Sequence, residues 1–224
     1  MGQAPTFVEE ERLWSLGWRL VAGVDEVGRG PLAGPVVAAA VVLPSERQPS
    51  WVSLLRDSKE LTAERREELF NIIQEDGIPS GVGIVSHKVI DARGIVPASK
   101  QAMRDAIRQL PFTPDYLLID YVRLSRTRIP QINITNGDRL SFSIAAASIV
   151  AKVTRDRMMV ELDGEYPGYG FAQHKGYGTP EHLGVLQRLG PCPLHRMSFA
   201  PVWMAGSEAG RQWGEVFGPG GPRT

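Results

Sequence analysis

The segment that most constrains this chain is a glycine-rich turn between two apolar runs, Gly-Val-Asp-Glu-Val-Gly-Arg-Gly-Pro-Leu-Ala-Gly at residues 23–34. Residues 19–25 and 35–43 on its two sides are predicted as strands, because each is a short apolar stretch bounded by glycine or proline. Asp25 and Glu26 therefore end a strand that the fold must bury. A carboxylate in such a place is unfavourable unless a cation compensates its charge.

Two phosphate-binding interpretations of this turn fail on the order of its residues. Gly28-x-Gly30 after a strand is similar to a dinucleotide fingerprint, but Pro31 and a β-like run follow where a helix is required. A P-loop would have lysine and then Ser or Thr where Arg29 and Gly30 stand. The acids are therefore the feature that needs an explanation.

Two further acids have comparable settings. Asp120 ends an apolar run predicted as a strand over residues 115–120, and Asp138 precedes a long helix predicted from about residue 140 to 162. With Asp25 and Glu26 they supply the hard oxygen ligands that Mg²⁺ and Mn²⁺ prefer, and four carboxylates suit two such ions. Taken alone, Asp138 is more typical of a helix N-cap and Asp120 of an ordinary strand end, so both interpretations stay open.

The remaining pattern alternates strands with helices, which favours a mixed α/β fold. The other predicted elements are a helix over residues 62–76 with Thr62 as N-cap, a strand over 81–86, a helix over 97–110, a strand over 131–134, and a helix over 181–189 that Thr179 and Pro180 open.

Length and cysteine content favour an intracellular protein. A chain of 224 residues buries a core without disulfides, and its single cysteine favours a reducing compartment. No apolar run approaches the ~20 residues of a membrane helix, and the first residues lack the hydrophobic stretch of a signal peptide. We expect a cytoplasmic monomer with no membrane partner. One catalytic domain is predicted over residues 1–204, followed by a Gly/Pro-rich disordered tail over 205–224.

Charge is unevenly distributed along the chain. Its net charge is zero, but residues 121–157 hold seven Arg and Lys against two Asp. Such a density suits a surface that follows a polyanion. A solvated helix and loop surface explains it equally well, so charge alone leaves nucleic acid binding open.

The cysteine and the histidines give little support for a nucleophilic or a zinc-binding site. Cys192 stands between two prolines and is interpreted as a packing residue. The four histidines have no zinc-like spacing and are interpreted as structural or peripheral: His87, His174, His182 and His195.

Five segments, in order along the chain, resemble the motifs of type 2 ribonuclease H (ribonuclease HII). They are the turn at residues 23–34, Asp-Ser-Lys-Glu-Leu at 57–61, the small-residue helix at 143–156, His-Lys-Gly-Tyr-Gly-Thr at 174–179, and Pro-Leu-His-Arg-Met-Ser-Phe at 193–199. The resemblance covers residues 18–203. The chain departs from the family pattern at Tyr121, where glycine is usual, and at Asn136, where lysine is usual.

The resemblance implies an RNase H-like fold, with a central five-stranded mixed sheet, helices on both sides and a helical C-terminal extension. It also implies a two-metal site in which Asp25, Glu26, Asp120 and Asp138 hold Mg²⁺ or Mn²⁺ for hydrolysis at phosphorus.

The implied activity is cleavage of the RNA strand of RNA–DNA hybrids and of single ribonucleotides in duplex DNA. The cut falls 5′ to the ribonucleotide and leaves 3′-hydroxyl and 5′-phosphate ends, which suits ribonucleotide removal in DNA repair. The implied substrate-binding residues are Gly28, Arg29 and Gly30 at the 2′-hydroxyl, Tyr177 on the next deoxyribose, and Ser58, Lys59 and Lys152 at phosphates.

Two alternative functions share the same core. A phosphotransferase would hold a magnesium nucleotide with Asp25 and Asp120, but the chain lacks the duplicated domain and phosphate loops that such enzymes need. A catalytically silent hybrid-binding protein is the second alternative, and the intact acids argue against it.

Overall fold

The computed structural model describes residues 4–46, 48–56, 58 and 60–206. Within them the strands are β1 (Val21–Val27), β2 (Val36–Val42), β3 (Ser80–Val85), β4 (Tyr116–Asp120) and β5 (Gln131–Ile134). The α-helices are α1 (Val8–Ser15), α2 (Ala63–Glu75), α3 (His87–Arg93), α4 (Ile95–Arg108), α5 (Phe142–Glu165), α6 (Phe171–His174), α7 (Pro180–Leu189) and α8 (Ala200–Gly206). Short 3₁₀ helices span Ser50–Leu54 and Gly137–Arg139.

The five strands form one mixed sheet in the order β3-β2-β1-β4-β5. β1 pairs antiparallel with β2, whereas β1 with β4 and β4 with β5 run parallel. The predicted fold class is thereby confirmed. β1 continues to Val27, two residues past its predicted end, because Glu26 and Val27 still pair with β2.

Helices lie on both faces of this sheet. Successive side chains of a strand point to opposite faces, and β3 shows both environments. Val82 packs on the hydrophobic core that α2 and α5 build with β2. Gly81 and Gly83 face the other way, where a Cβ would overlap backbone carbonyls of α4. Helix α4 is therefore on the face opposite to α2 and α5.

Small residues let α5 approach the sheet closely. Residues 145–147 are three fully buried alanines in the core cluster that includes Ala39 and Val41 of β2. At Gly23 of β1, an added Cβ would overlap the backbone carbonyl of Ser143. No side chain fits between strand and helix at this point.

Contacts divide the chain into two compact units. The first contains the N-terminal residues to Val27, then Val37–Ile84 and Ser99–Thr154, and so holds the sheet. The second contains Gly28–Val36, Val85–Ala98 and the chain from Arg155 on. The assignment of residues 1–204 to one catalytic domain stays a prediction.

The predicted disordered tail lies almost entirely outside the described residues, which end at Gly206. Its first two residues, Ala205 and Gly206, belong to α8. Among the described residues, no helix combines the length and apolar character needed to cross a membrane.

Candidate active site

The parallel pairing of β1 and β4 brings the first acids together. Val24 of β1 lies opposite Ile119 of β4, so the next residues along, Asp25 and Asp120, stand side by side where β4 ends and its pairing with β1 stops. The carboxyl ends of neighbouring parallel strands meet at one edge of a sheet, which is where ligand sites of α/β folds form. Glu26 follows at the same end of β1.

Asp138 reaches this edge through a tight turn after β5. Asn136 adopts a left-handed conformation with φ of 57° and reverses the chain. The backbone N–H of Gly137 then donates to Oδ1 of Asp120 at 2.7 Å. This bond ties the 3₁₀ helix that carries Asp138 to the end of β4, and Asp138 itself is buried.

The N-cap interpretation of Asp138 is wrong. Helix α5 begins at Phe142, four residues later. The hydroxyl of Ser141 accepts the backbone N–H of Ile144 at 3.2 Å, which is the bond an N-cap makes. Asp138 therefore does not cap α5.

Electrostatics connect Asp25 with the three other predicted acids. Burial is the largest cause that raises the pKa of Asp25 well above its usual value, and the charges of the three other acids raise it further: Glu26, Asp120 and Asp138. A bond from the Glu26 N–H to Oδ1 of Asp25, at 2.8 Å, acts in the opposite direction. The first unit thus concentrates negative charge at one edge of its sheet.

The donor chemistry of this cluster fits a divalent cation. Carboxylate oxygens are the ligands that Mg²⁺ and Mn²⁺ prefer, and a cation would relieve the repulsion that raises the Asp25 pKa. In the part of the chain that is described, no group of three or more His, Cys, Asp or Glu already forms a ready-made set of metal ligands. The fit therefore rests on the chemistry and burial of the acids.

A second group of predicted site residues lies in the second unit. Gly30 is exposed, and a Cβ placed on it would lie 4.0 Å from Cε1 of Tyr177. The Tyr177 ring is 38% exposed. The guanidinium carbon of Arg155 stands 5.8 Å from the ring centroid. The turn, predicted to read the 2′-hydroxyl, and the tyrosine, predicted to stack on the next deoxyribose, are thus neighbours within this unit.

Gly28 occupies a position that only glycine tolerates. Its φ is +92°, a conformation that L side chains rarely adopt, and a Cβ there would lie 2.8 Å from the carbonyl oxygen of Pro35 and overlap the Arg155 side chain. The backbone at this point is therefore packed against its own unit. Arg29 is half-buried.

The predicted phosphate-binding residues that the structure describes differ in their exposure. Ser58 is buried, and its carbonyl accepts a bond from Nη1 of Arg66 at 2.8 Å. Lys152 is half-buried on α5. Lys59 lies outside the described residues. Their contact with phosphate stays a prediction.

Sequence reasoning missed two arginines that hold the turn from inside the second unit. Arg155 and Arg196 are fully buried, and both donate to backbone carbonyls of residues 28–35. In the sequence, each of these arginines was identified only as one residue of a longer motif. Because every residue has a carbonyl, nothing in the sequence marks the acceptors.

Cys192 and the histidines have the roles expected of them. Cys192 is buried in a small cluster with Met159 and Phe171. His182 and His195 are buried and hydrogen-bonded to each other. They are structural, as the sequence indicated.

Together, a five-stranded mixed sheet with helices on both faces and a set of acids at the ends of β1 and β4 define the RNase H-like class of folds. The solved ribonuclease H2 of Pyrococcus horikoshii is similar to this chain with a TM-score of 0.70 at 27% sequence identity, over 86% of this chain and 99% of that one.

Sequence comparison narrows the class to a family. The family model described as ribonuclease HII matches residues 22–202. A ribonuclease HII of Dehalococcoides mccartyi is 50% identical over 198 residues, which cover 88% of this chain and 94% of that protein. A ribonuclease HII of Enterococcus faecalis is 55% identical over 193 residues, covering 86% and 74%. The chain belongs to the ribonuclease HII family.

Family membership confirms the enzyme class predicted from the sequence. The protein is an endonucleolytic hydrolase that acts on RNA in RNA–DNA hybrids. The phosphotransferase and the silent binding protein are thereby excluded as alternatives.

Proposed function

We propose that Asp25, Glu26, Asp120 and Asp138 are the catalytic and metal-binding residues of this ribonuclease. The observation that carries the proposal is the burial of Asp25 beside three other acids, whose charges raise its pKa. Like charges buried together oppose folding, and groups with such perturbed pKa values are typical of functional sites. Two divalent ions, Mg²⁺ or Mn²⁺, would neutralise this cluster.

The chain contributes orientation to the reaction. When bound, the divalent ions supply an activated water and stabilise the leaving 3′-oxygen. The Gly137 N–H donates to one oxygen of Asp120, and the Glu26 N–H donates to one oxygen of Asp25, so backbone groups orient both carboxylates. Cleavage in this scheme needs no side-chain nucleophile. It falls 5′ to the ribonucleotide and leaves 3′-hydroxyl and 5′-phosphate ends.

Recognition of the ribonucleotide is assigned to the second unit. The exposed Gly30 and its neighbours Gly28 and Arg29 offer backbone groups to a ribose 2′-hydroxyl, the group that distinguishes RNA from DNA. Tyr177, with its partly exposed ring beside Gly30, would stack on the deoxyribose that follows.

The same proposal covers single ribonucleotides in duplex DNA as well as continuous hybrids. Phosphates of the substrate would be bound by Ser58, Lys59 and Lys152. We further infer that the protein acts as a monomer in the cytoplasm, where it would remove ribonucleotides from DNA. Its one cysteine, free and buried, is consistent with a reducing compartment.

The decisive experiment is cleavage of three labelled duplexes with and without Mg²⁺ or Mn²⁺: one with a single ribonucleotide, one RNA–DNA hybrid and one all-DNA. We expect metal-dependent cleavage of the first two only, with the cut mapped 5′ to the ribonucleotide. Asp25→Asn should abolish it. Asp105→Asn, at a half-buried acid paired with Arg108 on α4, is the matched control and should cleave normally. Metal-independent cleavage, or full activity of Asp25→Asn, would contradict the proposal.

The role of Tyr177 is tested on two of these substrates. Tyr177→Ala removes a stacking contact of about 1–3 kcal/mol, a loss of roughly 5- to 150-fold if the contact is fully made in the transition state. The loss should be larger for a single ribonucleotide in DNA than for a continuous RNA strand, where the next sugar is not deoxyribose. Equal losses on both would make Tyr177 a packing residue.

A further inference from the structure

Arg196 lies behind the Gly28–Gly34 turn and binds it entirely through backbone carbonyls. The side chain is fully buried. Its Nη2 donates to the carbonyl of Gly28 at 2.6 Å, and its Nη1 to that of Arg29 at 3.0 Å. Nε and Nη2 both reach the carbonyl of Gly34, at 3.0 and 2.9 Å, and Nη2 also reaches Pro35 at 3.2 Å. One guanidinium thus holds both ends of the turn.

These bonds decide which way the peptide groups face. In a planar trans peptide, the C=O of one residue and the N–H of the next point in opposite directions. The carbonyls of Gly28 and Arg29 point inward at Arg196. The N–H groups of Arg29 and Gly30 therefore point away from it, toward the exposed side of the turn, where Gly30 carries no side chain.

The guanidinium of Arg196 also stays positively charged. Burial, followed by the like charge of Arg155, lowers the pKa of Arg196 to about 9, so the side chain is still protonated at neutral pH. A cation bonded to a peptide oxygen polarises that peptide and strengthens the N–H as a donor. Asp91 steadies the segment, since its carboxylate accepts the N–H groups of Met197 and Ser198 at 3.0 and 2.9 Å.

Arg155 acts on the adjoining part of the same unit. It donates to the carbonyls of Ala33 and Pro35 in the turn and to that of Lys175, two residues before Tyr177, at 3.1, 3.0 and 2.9 Å. Of these two arginines, Arg196 is the one that bonds the carbonyls of Gly28 and Arg29. The direction of the two N–H groups thus depends on Arg196.

We propose that Arg196 is the positioning residue for ribose recognition: it turns the N–H groups of Arg29 and Gly30 outward as donors to the 2′-hydroxyl oxygen of the ribonucleotide. This rests on the proposed role of the turn in reading the sugar. Arg196 touches no part of the substrate in this scheme. Its removal should weaken recognition of the ribose and leave the acids of the first unit unchanged.

The test compares Arg196→Lys with Ile73→Val, a mild core substitution in α2 that serves as the control for lost stability. Lysine keeps the charge but presents one nitrogen in place of a planar fork. Single-turnover rates are measured with saturating enzyme and Mg²⁺, at a temperature where circular dichroism shows both variants folded. The substrates are a duplex with one ribonucleotide and the same duplex with a 2′-fluoro nucleotide.

We expect Arg196→Lys to cleave the ribonucleotide duplex about 10- to 100-fold more slowly, the size of a lost charge-assisted hydrogen bond. The rate penalty for replacing the 2′-hydroxyl by fluorine should shrink, and Ile73→Val should cleave both duplexes within about 2-fold of wild type. If Arg196→Lys behaved as Ile73→Val does, Arg196 would only stabilise the fold and the inference would be wrong.

Two further variants complete the design. Asp91→Asn loosens the segment that carries Arg196 and should give a weaker loss of the same kind, which keeps the idea testable if Arg196→Lys does not fold. Gly30→Ala tests the turn itself. If Gly30→Ala left the 2′-fluoro penalty intact, the proposed reading role of the turn would fail. If Gly30→Ala reduced the penalty and Arg196→Lys did not, only the inference about Arg196 would fail.

Discussion

Two buried histidines of the second unit form a hydrogen-bonded chain whose donors and acceptors fit neutral rings. Nδ1 of His182 lies 2.9 Å from the carbonyl of Tyr177, which can only accept, so this nitrogen carries the proton. Nε2 of His182 must then accept, and Nε2 of His195, 3.0 Å away, donates to it. Nδ1 of a neutral His195 then accepts the N–H of Cys192 at 2.9 Å. A proton added to this nitrogen would face that donor, and its acceptor would be the Cys192 carbonyl at 3.2 Å.

Acid should therefore unfold the protein partly through His195. Burial, followed by the neighbouring His182, lowers the pKa of His195 from 6.5 to about 4. Between these values the unfolded chain binds a proton that the folded protein does not, so the free energy of unfolding falls as the pH falls. At about 1.4 kcal/mol per pH unit, the loss reaches about 3 kcal/mol by pH 4. Above pH 6.5 the contribution is fully present.

The assay is urea unfolding of the wild type and His195→Asn at pH 7.5 and pH 4.5. Asparagine keeps an acceptor near the Cys192 N–H but does not titrate. Other groups change the stability of both proteins with pH, so the measured quantity is the difference between their two responses. We expect the wild type to lose about 2–3 kcal/mol more than the variant on acidification. Equal responses would refute the neutral chain.

Three further predictions concern the first unit. Asp25→Asn should abolish cleavage while keeping or raising the midpoint of thermal unfolding, because burial and the adjacent acids raise the Asp25 pKa and make its charge unfavourable; a lower midpoint in calorimetry would argue against this. Burial also raises the pKa of Glu10, so stability should fall as the pH rises above 4.5, and Glu10→Gln should remove that slope in unfolding titrations at pH 4.5 and 7.5. Tyr121 is exposed with φ of 59°, so Tyr121→Gly should be more stable than Tyr121→Ala by about 1 kcal/mol, and equal urea midpoints would count against strain there.

Much of the fold follows from local sequence. β5 has its predicted bounds, and the hydroxyls of Thr62 and Thr179 cap α2 and α7 as expected. Helix α1 was not predicted, because the residues that hold it in place are distant in the sequence. Glu10, on its buried face, accepts bonds from Ser141 and Ser143, more than 130 residues away. The sequence of a short helix does not predict hydrogen-bond partners so far along the chain.

The departures from the family pattern also acquire a physical meaning. Tyr121 and Asn136 both have positive φ, at 59° and 57°. Glycine, the usual family residue at position 121, adopts this conformation without strain. Asparagine tolerates it better than most residues, which suits Asn136 at the turn before Asp138.

The acids at the strand ends were predictable because apolar runs that stop on a carboxylate are visible in a single sequence. Their meeting at one edge was not, since it depends on the parallel register of β1 with β4 and on the bond from Gly137 to Asp120. Arg196 was the hardest to foresee. Its acceptors are backbone carbonyls more than 160 positions away.

The close approach of α4 and α5 to the sheet has a consequence for directed evolution. At Gly23, Gly81 and Gly83 an added methyl group would meet backbone of the facing helix, which cannot rotate aside as a side chain can. In a mutant library that randomises these three codons, most variants would therefore fail to fold. Holding them fixed would direct the diversity of such a library to exposed positions outside the proposed site, such as Val160 and Trp203.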